Sequence, residues 1–384
     1  MATANYLDRA KTAVAGLRVP APTRPIVIIQ SDDWGRVGIP SIAALDRLKS
    51  RDVDVGKDPW DYYGLETEED IVTLGDVLAA LRDRDGRSPC LTANFIMANA
   101  DLRAMRAEGY REFRWIGIAD GFPAPWTEEL FAVYLANIER KVFYPGLHGF
   151  THFNIPALLC ALSESSVRGE LARILADEDV PYLASLTPEH NFALLTRRPG
   201  GGFLDEVDQV DWIEQGVALF RQGFGFSPRT TCAPGYKANR TTFRVWHGAG
   251  IDVVQTGDDR GLADESTAIL CRNVHFEPAL RPDAALQSAL SRAHLAVARG
   301  RPIVISSHSI NYISRHLGRA RHSRVMLHEL LSGLLREFPD LRFASDAEFA
   351  DAHKSDEPSW FRPPNAGELT QRVAAFARRN SGVS

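Results

Sequence analysis

Asp32 and Asp33 stand side by side in the segment SDDWG (31–35), directly after the apolar run 25–30. Neighbouring residues on an extended strand point to opposite sides, so both carboxylates serve one pocket only if the chain turns there. Gly35 suits such a turn. One carboxylate could then hold a cation while its neighbour stays free to take a proton from a water the cation activates. His148 and His152 lie four residues apart in LHGFTH (147–152). On a helical turn that spacing sends both imidazoles to one cation, and a carboxylate from elsewhere completes a three-ligand set with open positions. His308 follows the apolar run 302–307, with Ser309, Asn311 and Tyr312 behind it. Taken singly, these are a capping pair, a chance spacing and a core histidine. Their shared position, just after strand-like runs, is what sets them apart.

The elements that must position them alternate along the chain. Short β-rich runs fall at 26–30, 90–95, 141–144, 230–233, 251–255, 268–272, 302–307 and 341–344, each bounded by turn formers. Segments of helical period fall between them, at 68–84, 128–141, 165–176, 210–221, 284–298 and 323–338. Strand then helix, repeated this often, predicts an α/β fold, a distorted parallel (β/α) barrel of about seven strands. A doubly wound nucleotide fold would open its first turn with glycines, and SDDWG stands there instead. In a parallel barrel the carboxyl ends of the strands form the rim where active sites are built. Asp32, Asp33, His148, His152 and His308 would all lie on that rim. The chain reads as one catalytic domain, 1–384, with a barrel core at about 25–350, an N-terminal helix at 1–20 and a C-terminal tail at 355–384.

Composition narrows the function classes. The 384 residues are 45% hydrophobic and 24% charged, the balance of an ordinary globular chain. A net charge of -5 gives no general attraction to nucleic acid or anionic lipid, so neither is expected as a partner. The first twenty residues scatter charges through their only apolar stretch, which fits neither a secretory signal nor a membrane span and points to the cytoplasm. Cys90, Cys160, Cys232 and Cys271 contain no CxxC pair, so neither a disulfide framework nor a cysteine-built zinc site is expected.

Several of these segments together resemble the polysaccharide deacetylases. SDDWG resembles the TFDDG motif of that family, HGFTH its HSxxH motif, and ISSH (305–308) its late strand-plus-histidine motif, in the same order and over roughly 26–345. With CAPGY (232–236), RNVHFEP (272–278) and SSHSINY (306–312), the chain is similar to a divergent branch found with bacterial surface-polysaccharide genes. The resemblance implies a distorted barrel holding one divalent metal ion, commonly zinc. It matches Asp32 to the catalytic base, Asp33, His148 and His152 to the metal ligands, and His308 to the general acid. The reaction implied is hydrolysis of an acyl group, with an acetylated sugar or oligosaccharide as substrate.

Two positions depart from the family. Its third motif carries an arginine that orients the catalytic aspartate, and Cys232 stands in that place. Arg229, Arg260 or Arg272 remain as alternative sources of the cation. The fourth motif, DxxDW, has only Asp258 and Asp259 as a loose match. Arg272, Asn273 and Glu277 are expected to bind sugar hydroxyls, as are Trp34, Tyr236 and Asn311. Aromatic residues between the first two motifs, Trp60, Tyr62, Tyr63, Tyr110, Trp115 and Trp126, could wall the rim. Two other readings use the same barrel: cleavage of a glycosidic bond, which would yield new reducing ends in place of acetate, and a non-catalytic carbohydrate-binding protein.

Overall fold

The computed structural model describes residues 21–194, 202–257, 267–355 and 357–362. The expected helix at 1–20, Arg260, Asp258 and Asp259, and most of the 355–384 segment lie outside the described residues. In chain order the strands are β1 (Ile26–Trp34), β2 (Leu91–Ile96), β3 (Ala98–Ala100), β4 (Trp115–Gly117), β5 (Phe143–Gly149) and β6 (Thr230–Thr231). They continue with β7 (Val253–Thr256), β8 (Ala268–Cys271), β9 (Val274–His275), β10 (Ile303–His308) and β11 (Arg342–Phe343). Nine of them form one sheet in the order β8-β7-β6-β5-β2-β1-β10-β9, with β11 beside β1, and every pairing in it is parallel. Among the described strands, β3 and β4, which pair with each other, are antiparallel.

The sheet curls until its two edges are consecutive pieces of chain. The Arg272 amide donates to Thr256 O on β7 at 2.9 Å, and the next amide, Asn273, donates to Val304 O on β10 at 3.1 Å. One bent segment, 268–275, therefore joins both edges and completes the distorted (β/α) barrel. Strands covered on both faces read as unbroken apolar runs, which is why β1, β2 and β10 were visible in the sequence. All nine residues of β1 are buried. Outer helices cover them. The helix Ala320–Glu337 turns Leu327, Leu330, Leu331 and Leu334 inward, at the three- and four-residue spacing of an apolar helical stripe. The helix Glu68–Ala79 starts at a capping box between Thr67 and Asp70.

Two expectations need correction. β5 runs on through His148 to Gly149, so His148 is a strand residue and His152 lies in the loop after it. Gly149, at φ +144°, turns the chain there, and the pair converges without a helical turn. The helix expected at 210–221 extends over Glu206–Phe224. The start of the expected tail is tied to the barrel: Phe361 is buried, bridges Pro22, and packs on Phe349 beside the amino end of β1. Among the described residues, no helix is long and apolar enough to cross a membrane.

Candidate metal and acid-base site

The two aspartates reach one pocket through a bulge. Along β1 the partners on β2 run Ser31 with Ala93 and then Trp34 with Phe95, so three steps on β1 face two on β2. An extra residue of this kind re-aims side chains at a strand end. Asp33 takes it up at φ +73°, the left-handed region a non-glycine residue adopts at a cost. The Tyr63 hydroxyl donates to Asp33 O at 2.5 Å and holds the turn. Both carboxylates are buried, at 4% and 2% exposure.

Asp33 Oδ1 lies 3.4 Å from His148 Nε2 and 3.3 Å from His152 Nε2. It is buried and, among the described residues, accepts no hydrogen bond. His148 Nδ1 is 2.7 Å from Cys232 O, a carbonyl that can only accept, so Nδ1 carries a proton and Nε2 is the nitrogen turned to Asp33. The Tyr182 hydroxyl meets His152 Nδ1 at 2.5 Å. Burial, with Arg36 nearby, pushes His152 well below the usual imidazole range and keeps it neutral. One undonated carboxylate oxygen and two imidazole nitrogens, all within 4.8 Å of one another, fit a divalent cation. Asp32, His148 and Cys232 satisfy the same distance criterion, but they fit less well. Asp32 is engaged by an arginine, and burial pushes the Cys232 thiol well up, so it remains protonated.

That arginine is Arg272. Its Nη1 and Nη2 donate to Asp32 Oδ2 and Oδ1 at 2.6 Å each, and Asn94 Nδ2 adds a third hydrogen bond at 2.8 Å. Burial alone would raise the Asp32 pKa, but the guanidinium holds it well below the usual carboxylate range. Arg272 is itself gripped: Nε donates to Gln30 Oε1 at 3.0 Å and Nη2 to Gln255 Oε1 at 2.6 Å. Both glutamine amides donate in turn to buried Asp346 at 2.9 Å. Burial raises the Asp346 pKa, and with the Thr230 hydroxyl three groups donate to its carboxyl oxygens, so it orients both amides with their carbonyls toward Arg272. Arg229 pairs instead with Asp252 and Asp351.

His308 Nε2 lies 3.9 Å from Asp32 Oδ2, and its Nδ1 meets Glu277 Oε1 at 2.7 Å. Burial would lower its pKa. The Glu277 carboxylate, with Asp32 and Asp33, outweighs that and raises it to about 9. With 26% of its side chain exposed, His308 can meet a ligand. The Trp60 ring stands edge-on to it at 5.0 Å, so one of the aromatic residues expected at the rim is there.

The six residues expected on sugar hydroxyls differ in exposure and in the contacts they make. Trp34 is fully buried, bonded to Ser31 Oγ and packed edge-on against Phe143. Arg272 is 2% exposed and committed to Asp32. Asn273 ties the chain to β10 through Pro302 O and the Val304 amide. Asn311 donates to Glu277 at 2.5 Å and accepts from the Ala279 amide, so Glu277 and Asn311 both stand behind His308. Tyr236, 38% exposed with its hydroxyl 3.3 Å from Arg272 Nη1, keeps a free face at the rim. Sequence reasoning missed Gln30, Asn94, Gln255, Asp346, Arg36 and Tyr182. For the three amides a signal existed. Each interrupts a strand buried on both faces, where a polar side chain must find hydrogen-bond partners.

No protein-family model matches the chain, and no curated protein does. The chain is distantly similar to polysaccharide deacetylases of known structure. One solved structure, a candidate polysaccharide deacetylase from Mycobacterium smegmatis, is 13% identical with a TM-score of 0.45, covering 90% of this chain and 98% of that one. The peptidoglycan deacetylase PdaC from Bacillus subtilis is 10% identical at a TM-score of 0.36, covering 87% and 94%. A CE4 family pseudoenzyme from Bacillus anthracis is 9% identical at 0.39, covering 86% and 66%. At these values the likenesses assign no residue a role.

Proposed function

We propose that the chain is a metal-dependent hydrolase that removes an acetyl group from an N- or O-acetylated saccharide. The division of labour between the adjacent aspartates carries this reading: Asp33 turns an undonated oxygen to two imidazoles, while Asp32 faces His308. Asp33, His148 and His152 would hold the ion, zinc in this reading, which when bound acidifies a water and polarises the acyl carbonyl. Asp32 Oδ2 accepts the proton from that water, and Arg272 keeps the carboxylate ionised and aimed. His308, charged through its pairing with Glu277, gives a proton from Nε2 to the departing nitrogen or oxygen. Cys232 in place of the family arginine was the ground for a non-catalytic reading, and the ion pair that Arg272 makes with Asp32 from the end of β8 supports the catalytic one.

The test is acetate release from N- and O-acetylated oligosaccharides before and after chelation. Release that stops on chelation and returns with zinc is the expected result. New reducing ends without acetate would make the reaction glycosidic, and neither product from the metal-loaded protein would end the proposal. The pH profile adds a check on His308. Release from an N-acetyl substrate should fall as pH rises through about 9, where His308 loses its proton. An aryl acetate, whose phenolate departs unprotonated, should not show that limb. The folded-state pKa lies above the unbound value of 6.5, so the contribution of this pair to stability is complete below 6.5 and is lost as pH rises through about 9. An N-acetyl profile flat across that range would remove His308 from the acid role.

A further inference from the structure

Each aspartate at the rim has its own arginine, and the second pairing is absent from the motif comparison. Arg36 Nη1 lies 3.2 Å from Asp33 Oδ2, the oxygen turned away from the imidazoles. The Arg36 amide also donates to Asp33 O at 3.3 Å, so one turn of chain supplies both contacts. The guanidinium lies over two tyrosine rings, 4.3 Å from the Tyr63 centroid and 5.0 Å from that of Tyr182. Those rings touch the ligand set themselves, Tyr63 at Asp33 O and Tyr182 at His152 Nδ1. The side chain of Arg36 is only 11% exposed and that of Asp33 3%.

A carboxylate this buried needs a partner charge in order to remain ionised. Building on the metal site proposed above, we infer that Arg36 is an internal counter-cation: it neutralises Asp33 while the ligand set is empty and limits how tightly a divalent cation binds. Two features of the pocket lead to that statement. Asp32 with Arg272 and Asp33 with Arg36 leave no net charge from these four side chains before an ion enters. An entering cation then meets a carboxylate that is already paired, two imidazoles and a nearby guanidinium that repels it. The ligand geometry stands preformed without metal, at the expense of affinity.

Two variants, Arg36→Gln and Arg36→Lys, test this on chelator-stripped protein. Zinc affinity is read by competition with a chromophoric chelator, and stability by thermal unfolding with and without zinc. Arg36→Gln should bind zinc at least about tenfold more tightly, unfold earlier without zinc, and gain more from zinc than the parent does. Arg36→Lys, which keeps the charge, should stay close to the parent. If Arg36→Gln binds zinc as weakly as the parent or more weakly, Arg36 merely orients Asp33 and the inference is overturned. Should the single variant fail to fold, the Asp33→Asn/Arg36→Gln pair decides. Recovery of metal-free folding by the double variant supports neutralisation, whereas a double variant as unstable as the single one contradicts it. That metal-free comparison does not involve zinc, so a parent that bound none would defeat the metal reading and leave the pairing intact.

Discussion

Arg272→Met should be the most damaging single change in the barrel. It leaves the buried carboxylate of Asp32 without its cation and frees the carbonyls of Gln30 and Gln255. Breaking a buried pair from one side costs about 3–5 kcal/mol, because the remaining charge is uncompensated. Denaturant midpoints should fall accordingly, and acetate release should disappear. Arg272→Lys should rescue little, since one ammonium cannot reproduce the two-pronged contact with Asp32 and the two amides together. Adding Asp32→Asn to Arg272→Met should recover part of the stability and none of the activity. A methionine variant as stable and as active as the parent would mean that Arg272 neither holds nor orients Asp32.

Asp32→Asn should keep the metal and lose turnover by at least about a hundredfold, the scale of a missing general base. The amide keeps the shape, although Arg272 loses one acceptor and stability should fall, while Asp33, His148 and His152 keep their ligand atoms. Asp33→Asn should do the reverse to metal content, because Oδ1 of Asp33 faces both imidazoles. Elemental analysis of the two variants, beside turnover measured at saturating zinc, separates the roles. Metal loss in Asp32→Asn with retention in Asp33→Asn would exchange them.

Much of this architecture was legible because parallel strands buried on both faces leave continuous apolar runs. β1, β2 and β10 are such runs, and the chemistry stands at or just beyond their carboxyl ends. β6 and β9, two residues each, are too short to show a period. The antiparallel pair β3 and β4 is set by a contact across the loop and not by a pattern within either strand. The ligand candidates were legible by residue type, yet the route was not: His148 and His152 converge through a strand end and a glycine turn. Arg272 could not be chosen among three arginines, since its reach to Asp32 depends on the two sheet edges meeting at 272–273. Glu277 and Asn311 were placed at strand ends, and their contacts with His308 and with each other were not legible. Sequence position locates the rim, but it does not say whether a side chain there faces a ligand or the histidine beside it.

A crystal grown with zinc and measured across the zinc absorption edge would test the central claim most directly. The expected result is one anomalous peak between β1 and β5, at about 2.0–2.2 Å from Asp33 Oδ1, His148 Nε2 and His152 Nε2, with Asp32 still held by Arg272. A peak bound instead by Asp32 and Cys232, or no peak at this site from crystals in which zinc is otherwise present, would contradict the account.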